Sequence, residues 1–410
     1  MTPVVNEDPA LLLERFAALS PARALVARLE HAPGDVHLVG GAVRDLMLGV
    51  APSELDLVVE TELEPVLAQL GAEGRLHDRF GTATVKLDGF VYDLARARRE
   101  SYSHPGALPS VTPASLEQDL ARRDFTVNAI ALGVLGPRRG VLTAFGSALE
   151  DLREGRMRAL HDASFIDDPT RLLRLVRYAS RLGFTIEPHT RELAQAAVAA
   201  DGLATISGSR LGAELRLLAR EPDPVAAVSA LGELGIDAVL APGFGLRDPE
   251  PARRALALLP DDGDPAVLVI AVASMGVAPG ELTQMLERLA FEAHERDAIL
   301  AAASGATGLA ASLQGARRPS DVAAAVGAAG PEAVALAGAL GPADAARSWL
   351  EQLRFVQLEI DGRDLLASGV ESGPALGQGL RAALAAKLDG LAQGRDAELA
   401  EALRAASASG

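Results

Sequence analysis

The segment 40–45, Gly-Gly-Ala-Val-Arg-Asp, follows a mainly apolar run at 36–39 and leads into a second stretch, 42–48, in which apolar residues flank Arg44 and Asp45. The first run predicts a β-strand and the second an α-helix. Gly40 and Gly41 stand between them, where a backbone without side chains can approach a ligand closely and present its N–H groups to phosphate oxygens. The positively polarised start of the helix would face the same anion. The segment therefore predicts a phosphate-binding turn between a strand and a helix.

Two acidic residues, Glu54 and Asp56, follow this helix at the beginning of a predicted strand, 55–59. Side chains alternate along a strand, so residues two apart lie on the same face. The two carboxylates would therefore converge on one point and could bind a divalent metal ion through oxygen ligands. The alternative is an ordinary glycine turn followed by a strand with solvated acids.

A third carboxylate, Asp93, lies within an apolar run at 90–95 that also predicts a strand. An unpaired charge buried there would cost several kcal/mol. If this strand lies beside the strand of Glu54 and Asp56, three carboxylates meet, and cations must neutralise their mutual repulsion. We therefore predict a two-Mg²⁺ site for phosphoryl or nucleotidyl transfer, with all three as catalytic carboxylates. The alternative is a structural salt bridge from Asp93 to the arginine at 96 or 98.

The chain has 410 residues, of which 49% are hydrophobic and only 3% aromatic. This length exceeds what one hydrophobic core serves, and the abundance of alanine and leucine favours packed helices. Strands, including 82–87, are predicted only before about residue 150, and helical periodicity continues from there almost to the end. Residues 9–31 predict one amphipathic helix. We expect an α+β protein with a small mixed α/β head domain followed by an all-helical neck, body and tail, divided as 1–150, 151–240 and 241–410.

Composition and charge exclude several classes of site. The sequence has no cysteine, which excludes disulfides and thiolate metal sites. It has no run of about 18 apolar residues, so no membrane partner is expected and the protein is predicted to be cytoplasmic. The formal net charge is −16, but arginines cluster in the less acidic first half. Local positive patches, and not the net charge, decide whether a nucleic acid is attracted.

The segment 119–128 places charged and polar residues directly before Ala-Ile-Ala-Leu at 129–132, an apolar stretch that predicts a helix. Arg123 suits a triphosphate, and Asp124 could accept a hydrogen bond from a ribose hydroxyl. Asn128 adds a further polar group at the edge of the same predicted site. A solvated helix start is the alternative interpretation for the first charged residues of this segment.

A third cluster, 167–177, combines Asp168 with a row of arginines. Asp168 and the proline after it predict the N-cap and the first position of a helix. At about 100° per residue, an arc of about 120° on that helix contains Arg171, Arg174, Arg177 and Arg181. Such a row repels itself unless it meets anions, which favours phosphate contacts over a solvated face.

These segments resemble, in their order and approximate spacing, the class II tRNA nucleotidyltransferase and bacterial poly(A) polymerase family. The resemblance rests on 40–45, 54–56, 122–126 and 167–171, and it returns weakly at 360–365. It implies a nucleotidyltransferase head domain in a template-independent enzyme. Such an enzyme uses Mg²⁺ to add CMP and AMP from CTP and ATP to the 3′ end of tRNA and releases pyrophosphate. The alternatives within the family are an enzyme that adds only CC or only the terminal A, and a poly(A) polymerase.

The resemblance also implies roles for individual residues. It places the triphosphate at Gly40, Gly41 and Arg44, the metal at Glu54 and Asp56, and the ribose at Arg123 and Asp124. It places the edge of the incoming base, C or A, against Asp168 and Arg171, because a carboxylate and a guanidinium together offer acceptors and donors along that edge. The full set of expected nucleotide-binding residues is Gly40, Gly41, Arg44, Asp45, Arg123, Asp124, Asn128, Asp168, Arg171, Arg174 and Arg177.

Two positions depart from the family pattern. Glu54 stands where the family has aspartate, and Asp167 stands where it prefers glutamate. The extra methylene of Glu54 moves its carboxylate by about 1.5 Å, one bond length, and two-metal catalysis is sensitive to such a displacement. A non-catalytic RNA-binding descendant with an altered metal site is therefore the alternative from another functional class.

Overall fold

The computed structural model describes residues 3–29, 34–71, 73–77 and 81–408, with the backbone alone for 73–77. The chain forms two compact units. The first comprises Met1–Leu215 with Leu234–Val239, and the second comprises Arg216–Glu233 with Leu240–Gly410. The division at residues 150 and 240 that the sequence favours stays a prediction.

A seven-stranded mixed sheet, which we call the head sheet, is the main β-structure of the first unit. Its spatial order is β3-β4-β5-β2-β1-β8-β9. The strands are β1 Val36–Val39, β2 Asp56–Val59, β3 Glu73–His77, β4 Thr82–Leu87, β5 Phe90–Arg96, β8 Ile130–Leu135 and β9 Leu142–Ala144. Two further pairs lie outside it: β6 Arg98–Ser101 with β7 Ser110–Pro113, and β10 Arg156–Met157 with β11 Thr185–Ile186. The strands predicted at 36–39, 55–59, 82–87 and 90–95 are therefore confirmed, with shifts of at most one residue at their ends.

The central strands β1 and β8 of the head sheet are buried on both faces. Val39 and Val58 lie on one face and pack with Leu116 and Leu120. Side chains alternate along a strand, so Leu38 points to the opposite face, and it is fully buried as well. This burial explains why β8 reads as a continuous apolar run and why three of the four residues of β1 are apolar.

Helices cover the head sheet and continue beyond it. Those of the first unit are α1 Pro9–Ala18, α2 Ser20–Leu29, α3 Gly41–Met47, α4 Leu63–Leu70, α5 Leu116–Ala121, α6 Ala148–Glu154, α7 Ser164–Asp167, α8 Thr170–Leu182 and α9 Pro188–Ala199. Two helices, α10 Gly208–Ala219 and α12 Ile236–Leu240, contain residues of both units.

The described part of the second unit is helical. Its helices are α11 Pro224–Ser229, α13 Glu250–Leu258, α14 Pro265–Ala273, α15 Pro279–Arg288, α16 Ala293–Gly315, α17 Pro319–Val326, α18 Pro331–Ala339, α19 Ala343–Glu351, α20 Gly362–Ala367, α21 Pro374–Leu388 and α22 Arg395–Ser407. Among the described residues, no single helix is long and apolar enough to cross a membrane. One pair of helices, α17 and α18, has the length and composition of a membrane span when taken together, but the two are bent by 115° relative to each other. The predicted α+β class, with a mixed sheet first and helices after it, is confirmed.

Three local predictions are wrong. The helix expected over 9–31 is two helices, because the backbone at Leu19 is extended and Pro21 in the first turn of α2 favours a new helix start; residues 30–31 lie outside the described part. The stretch 129–132 was expected to be helical, but residues 130–132 belong to the strand β8, which pairs with β1 and β9. Short apolar runs do not distinguish a buried strand from a helix. Finally, β10 and β11 occur after residue 150, each too short to give a periodic signal.

Candidate active site

The turn from β1 to α3 requires glycine. Gly40 has φ +67° and ψ −132°, a backbone conformation that L side chains rarely adopt. A Cβ atom at this position would lie 2.7 Å from Nη1 of Arg123, whereas one at Gly41 would lie 3.3 Å from Nη2 of Arg44. The first glycine therefore lets the arginine approach the backbone of the turn, and the second contributes less to that fit.

A cavity of about 320 Å³ lies at this turn, entirely within the first unit. Nine of the expected site residues line it: Gly40, Gly41, Asp56, Arg123, Asp124, Asn128, Asp168, Arg171 and Arg174. The structure thus brings together segments that are up to about 130 residues apart in the chain. Five expected residues lie outside this lining, namely Arg44, Asp45, Glu54, Asp93 and Arg177.

The carboxylates of the head sheet are arranged differently from the expected cluster. β2 and β5 are parallel neighbours, and Asp56 lies directly opposite Asp93. However, the side chain of Asp93 is exposed, because the residues on either side of it in β5 point to the buried face of the strand. The prediction that its charge is buried is therefore wrong. Its side chain accepts a hydrogen bond from Thr84 Oγ1 at 2.7 Å. Glu54 precedes β2 and is exposed. Within the described ranges, no three His, Asp or Glu side chains form a group that could hold a metal ion.

Asp56 is half-buried between two cavities. It lines the cavity at the glycine turn and a second cavity of about 270 Å³, which Asp93 and Thr84 also line. Burial raises the pKa of Asp56; Arg123 opposes this increase, whereas Glu54 and Asp93 add to it. The negative charge at this point is therefore poorly compensated by the protein. Such a carboxylate fits the binding of a divalent cation, with Asp93 or Glu54 as a second oxygen donor.

Two arginines of the cavity are held by one buried acid. Asp119 in α5 has no exposed surface, so the alternative of a solvated helix start is wrong for it. Its Oδ1 accepts hydrogen bonds from Nε and Nη2 of Arg122 at 2.9 and 2.7 Å, and its Oδ2 accepts one from Nη2 of Arg123 at 3.0 Å. Despite burial, these two arginines lower the pKa of Asp119. Ser115 begins α5 with a capping box and so helps to fix the helix that carries this acid.

A continuous polar chain joins the glycine turn to the helices after the sheet. Arg44 is buried and donates from Nε to Asp45 Oδ1 at 2.9 Å and from Nη1 to Asn128 Oδ1 at 2.6 Å. Asn128 Nδ2 donates to Asp124 Oδ1 at 3.1 Å. Asp124 Oδ2 accepts two bonds from Arg174, from Nε at 3.0 Å and Nη2 at 2.6 Å.

This polar chain sets the charge of Asp124. Burial opposes ionisation, but Arg174, helped by the hydrogen bond from Asn128, lowers the pKa of Asp124 to about 2. The carboxylate is therefore ionised near neutral pH and already has protein partners on both oxygens. A ligand that bonds to Asp124 must share it with Arg174.

Asp168 and Arg171, the expected base-reading pair, both line the cavity. Helix α8 begins at Thr170, whose N–H and hydroxyl donate to Asp168 Oδ1 at 3.1 and 2.7 Å. Arg210 of α10 donates to the same oxygen at 2.8 Å. Arg171 is buried and donates to Ser164 Oγ at 2.8 Å and to the carbonyl of Arg122 at 2.9 Å. All three bonds are accepted by Oδ1 of Asp168, so a ligand that bonds to Oδ2 does not compete with them for the same oxygen.

Arg210 also holds the loop between β6 and β7. Its Nη1 donates to the carbonyl of Gly106 at 3.1 Å, and the N–H of Gly106 donates to the carbonyl of Ile166 at 3.3 Å. Gly106 has φ +73°, and a Cβ atom there would lie 2.4 Å from Thr205 Oγ1. Arg210 therefore connects this loop to the carboxylate of Asp168.

Three of the four arginines in the α8 row do not lie on a solvated face, whereas Arg181 is exposed. Arg171 and Arg177 are buried, and Arg174 is half-buried. Arg174 and Arg177 both approach the carboxylate of Glu214, each at 3.4 Å. The anions that this row meets within the first unit thus include side chains of the protein itself.

Sequence reasoning assigned no binding or catalytic role to several residues that line the cavity. Glu100 accepts hydrogen bonds from Arg122 and from Tyr102, and burial together with the Glu100 carboxylate raises the pKa of Tyr102. Other lining residues without a predicted role are Pro109, Arg122 and Tyr178. Tyr178 has a detectable sequence signal, because it lies four residues after Arg174 and therefore on the same side of α8.

Comparisons with known proteins identify related sequences and folds. A model of the Poly A polymerase head domain matches residues 36–158. The CC-adding tRNA nucleotidyltransferase of Deinococcus radiodurans is 34% identical over 376 residues, which cover 89% of this chain and 87% of that relative. The A-adding tRNA nucleotidyltransferase of Geobacter sulfurreducens is also 34% identical and matches 90% of this chain, but the chain spans only 45% of that relative's length.

A solved structure of a CCA-adding enzyme in an apo form has the same fold. It superimposes with a TM-score of 0.83 at 27% sequence identity, over 98% of this chain and 99% of that one. Residues from each of the segments 40–45, 122–126 and 167–171 line one cavity in this chain. With the near-complete match to the Deinococcus relative, these findings show that the chain belongs to the tRNA nucleotidyltransferase family.

Proposed function

We propose that this protein adds CMP, AMP or both, from CTP and ATP, to the 3′ end of tRNA without a nucleic-acid template. The observation that carries the proposal is the single cavity in which the glycine turn, Asp56, and the pair Asp168 and Arg171 meet. A nucleoside triphosphate needs these three features together: a place for phosphates, a carboxylate near the reacting phosphorus, and polar groups along the base edge. The named relatives differ in whether they add A or CC, so the nucleotide added stays open within this proposal.

The chain's own residues supply most of the binding. The N–H groups of the Gly40–Gly41 turn and the Arg123 guanidinium would bind phosphate oxygens, because charge-assisted hydrogen bonds to oxyanions are strong. Asp124 would accept a bond from the ribose. Asp168 Oδ2 and Arg171 would read the base edge as an acceptor and donors, respectively. The 3′ hydroxyl of tRNA would then attack the α-phosphate in line, and pyrophosphate would leave.

We further propose Mg²⁺ as the cofactor, bound through Asp56 with Asp93 or Glu54. When bound, the ion would neutralise the triphosphate and favour ionisation of the attacking hydroxyl. The raised pKa of Asp56 supports this role, because burial and the neighbouring carboxylates make an unpaired negative charge there costly.

A cytoplasmic site of action agrees with a tRNA substrate.

The test is an extension assay with each nucleotide separately. The protein is incubated with Mg²⁺ and labelled CTP or ATP, and with tRNA ending at the discriminator base, after one C, or after CC. We expect extension of at least one of these tRNAs. No extension of any substrate with either nucleotide would exclude the proposal, and the pattern of extended ends decides between CC, A and complete CCA addition. Long AMP tails on unrelated RNA would instead indicate a poly(A) polymerase.

The exposed position of Glu54 motivates the second candidate, a non-catalytic RNA-binding descendant. The two candidates differ in how a nucleotide stabilises the protein, since a ligand that binds only the folded state raises the melting temperature. An active enzyme should show a larger shift with CTP and Mg²⁺ together than with CTP alone. A CTP effect that is independent of Mg²⁺ and Mn²⁺, with tRNA binding retained, would favour the descendant.

Replacing Arg210 by alanine should reduce discrimination between nucleotides. The change removes one donor from Asp168 Oδ1 and the bond to the loop carbonyl of Gly106, so only the two bonds from Thr170 still hold the carboxylate. We expect the preference for CTP and ATP over UTP and GTP to fall about tenfold, since one base contact is worth about 1–3 kcal/mol of discrimination. The measurement is kcat/KM for all four nucleotides.

The matched control for this variant is Arg153→Ala, which removes an arginine from the exposed ion pair with Glu7. It should discriminate between nucleotides as the parent does. If the Arg210 variant also keeps the parent's selectivity, Arg210 does not position Asp168.

A further inference from the structure

One aromatic ring in the cavity wall is surrounded by arginines. The guanidinium carbons of four arginines lie over the Tyr178 ring, at 4.7 Å for Arg177, 5.3 Å for Arg174, 5.5 Å for Arg44 and 5.9 Å for Arg181. Phe125 contacts the same ring edge to face, with 6.1 Å between ring centres. Arg174 Nη2 also donates to the Tyr178 hydroxyl at 3.2 Å.

These arginines come from different parts of the fold. Arg44 belongs to the helix after the glycine turn, and the other three belong to α8. Their mutual repulsion has to be overcome for them to share one ring. Asp45, Asp124 and Glu214 pair with Arg44, Arg174 and Arg177, and the face of an aromatic ring attracts a cation through its quadrupole.

The ring differs from a carboxylate in one respect that matters for an anionic ligand. A further carboxylate at position 178 would also hold the arginines together, but it would cancel positive charge beside the cavity. A tyrosine ring attracts guanidinium groups without contributing a formal negative charge. The ring can therefore hold several arginines, of which Arg174 lines the cavity, in fixed positions without reducing the attraction for phosphate.

We infer that Tyr178 is a positioning residue for the triphosphate of the incoming nucleotide, holding Arg44 and Arg174 in place between the glycine turn and α8. This inference rests on the proposed function, because it assigns the anionic part of that substrate to this side of the cavity. The hydroxyl is secondary, since its one described bond is to an arginine that Asp124 already holds twice.

The test varies the charge distribution of the ring while keeping its shape, and it includes one variant without a ring. Position 178 is changed to Phe, to a series of increasingly fluorinated phenylalanines, and to Leu, and the Kd values for CTP and CMP are measured with Mg²⁺ present. Fluorination weakens the quadrupole and leaves the ring nearly the same size. We expect Tyr178→Phe to remain within about twofold of the parent, and the Kd for CTP to rise about tenfold by the end of the series. The Kd for CMP should stay constant.

The outcomes separate this inference from the proposed function. If the parent binds neither CTP nor CMP, the proposed function fails and the inference fails with it. If the parent binds CTP but its Kd is the same across the series, or if the Kd values for CTP and CMP rise in parallel, only the inference is wrong. A variant that fails to fold is detected by its melting temperature, and the fluorinated series then decides, because those rings fill the same space.

Discussion

Replacing Asp56 by asparagine is expected to reduce nucleotide addition by at least about 1000-fold, because the change removes the negative charge that the proposed function places beside the reacting phosphate while keeping the side chain's size. Asp56 begins β2 opposite Asp93 and lines both cavities at the glycine turn. Under the proposed function it is the carboxylate shared by nucleotide and metal. The measurement is kcat/KM for CTP or ATP with the tRNA that the parent extends.

The variant should fold at least as well as the parent, because burial and two neighbouring carboxylates oppose the charge of Asp56. A loss of activity with an unchanged or higher melting temperature therefore identifies a chemical role. The matched control is Asp88→Asn, the same change in the exposed turn between β4 and β5. Asparagine tolerates the positive φ of this position, so the control should remain fully active. An Asp56→Asn protein with more than about a tenth of the parent's activity would contradict the assignment.

Replacing Asp119 by alanine is expected to lower the free energy of unfolding by about 3 kcal/mol, because removing one member of a buried ion pair leaves the other charges uncompensated. Asp119 is fully buried and is the acceptor for Arg122 and Arg123. Arg123 should then lose its fixed position beside the glycine turn, so the KM for the nucleotide should also rise. Denaturant unfolding and steady-state kinetics measure the two effects.

Glu117→Ala is the matched control for this variant, because Glu117 belongs to the same helix but is exposed. It should change neither stability nor KM by more than experimental error. Equal stability of the Asp119 variant and this control would show that the two arginines do not depend on the buried acid. Loss of stability without a change in KM would show that Asp119 supports the fold and does not position Arg123.

Much of the site could be predicted from the sequence because its residues are carried by short, ordered segments. The glycine turn needs only a strand before it and a helix after it, and both are evident from the apolar pattern at 36–48. Asp56 and Asp93 could be assigned to strands, but their neighbouring positions could be stated only as a condition, because a strand pattern does not show which strands are adjacent. The burial of Asp93 could not be predicted in the same way, because an apolar run does not show which face of the strand is covered.

The partners of the charged residues could not be predicted, because they depend on contacts between distant segments. Arg171 and Arg177 read as a phosphate-binding row, yet their burial and the approach of Glu214 to Arg177 appear only when α8 and α10 pack together. Asp119 likewise reads as a solvated acid, since nothing local in the sequence shows that α5 turns it inward. Tertiary packing, which local periodicity does not encode, decided both cases.

The polar chain from Asp45 through Arg44, Asn128 and Asp124 to Arg174 has a consequence for cooperativity. Each member is a partner of the next, so the glycine turn and helix α8 cannot separate without leaving buried charges unpaired. The head sheet and this helix should therefore open together in amide hydrogen exchange, as a single cooperative folding unit. The unit that unfolds cooperatively therefore extends beyond the strands of the head sheet and includes α8.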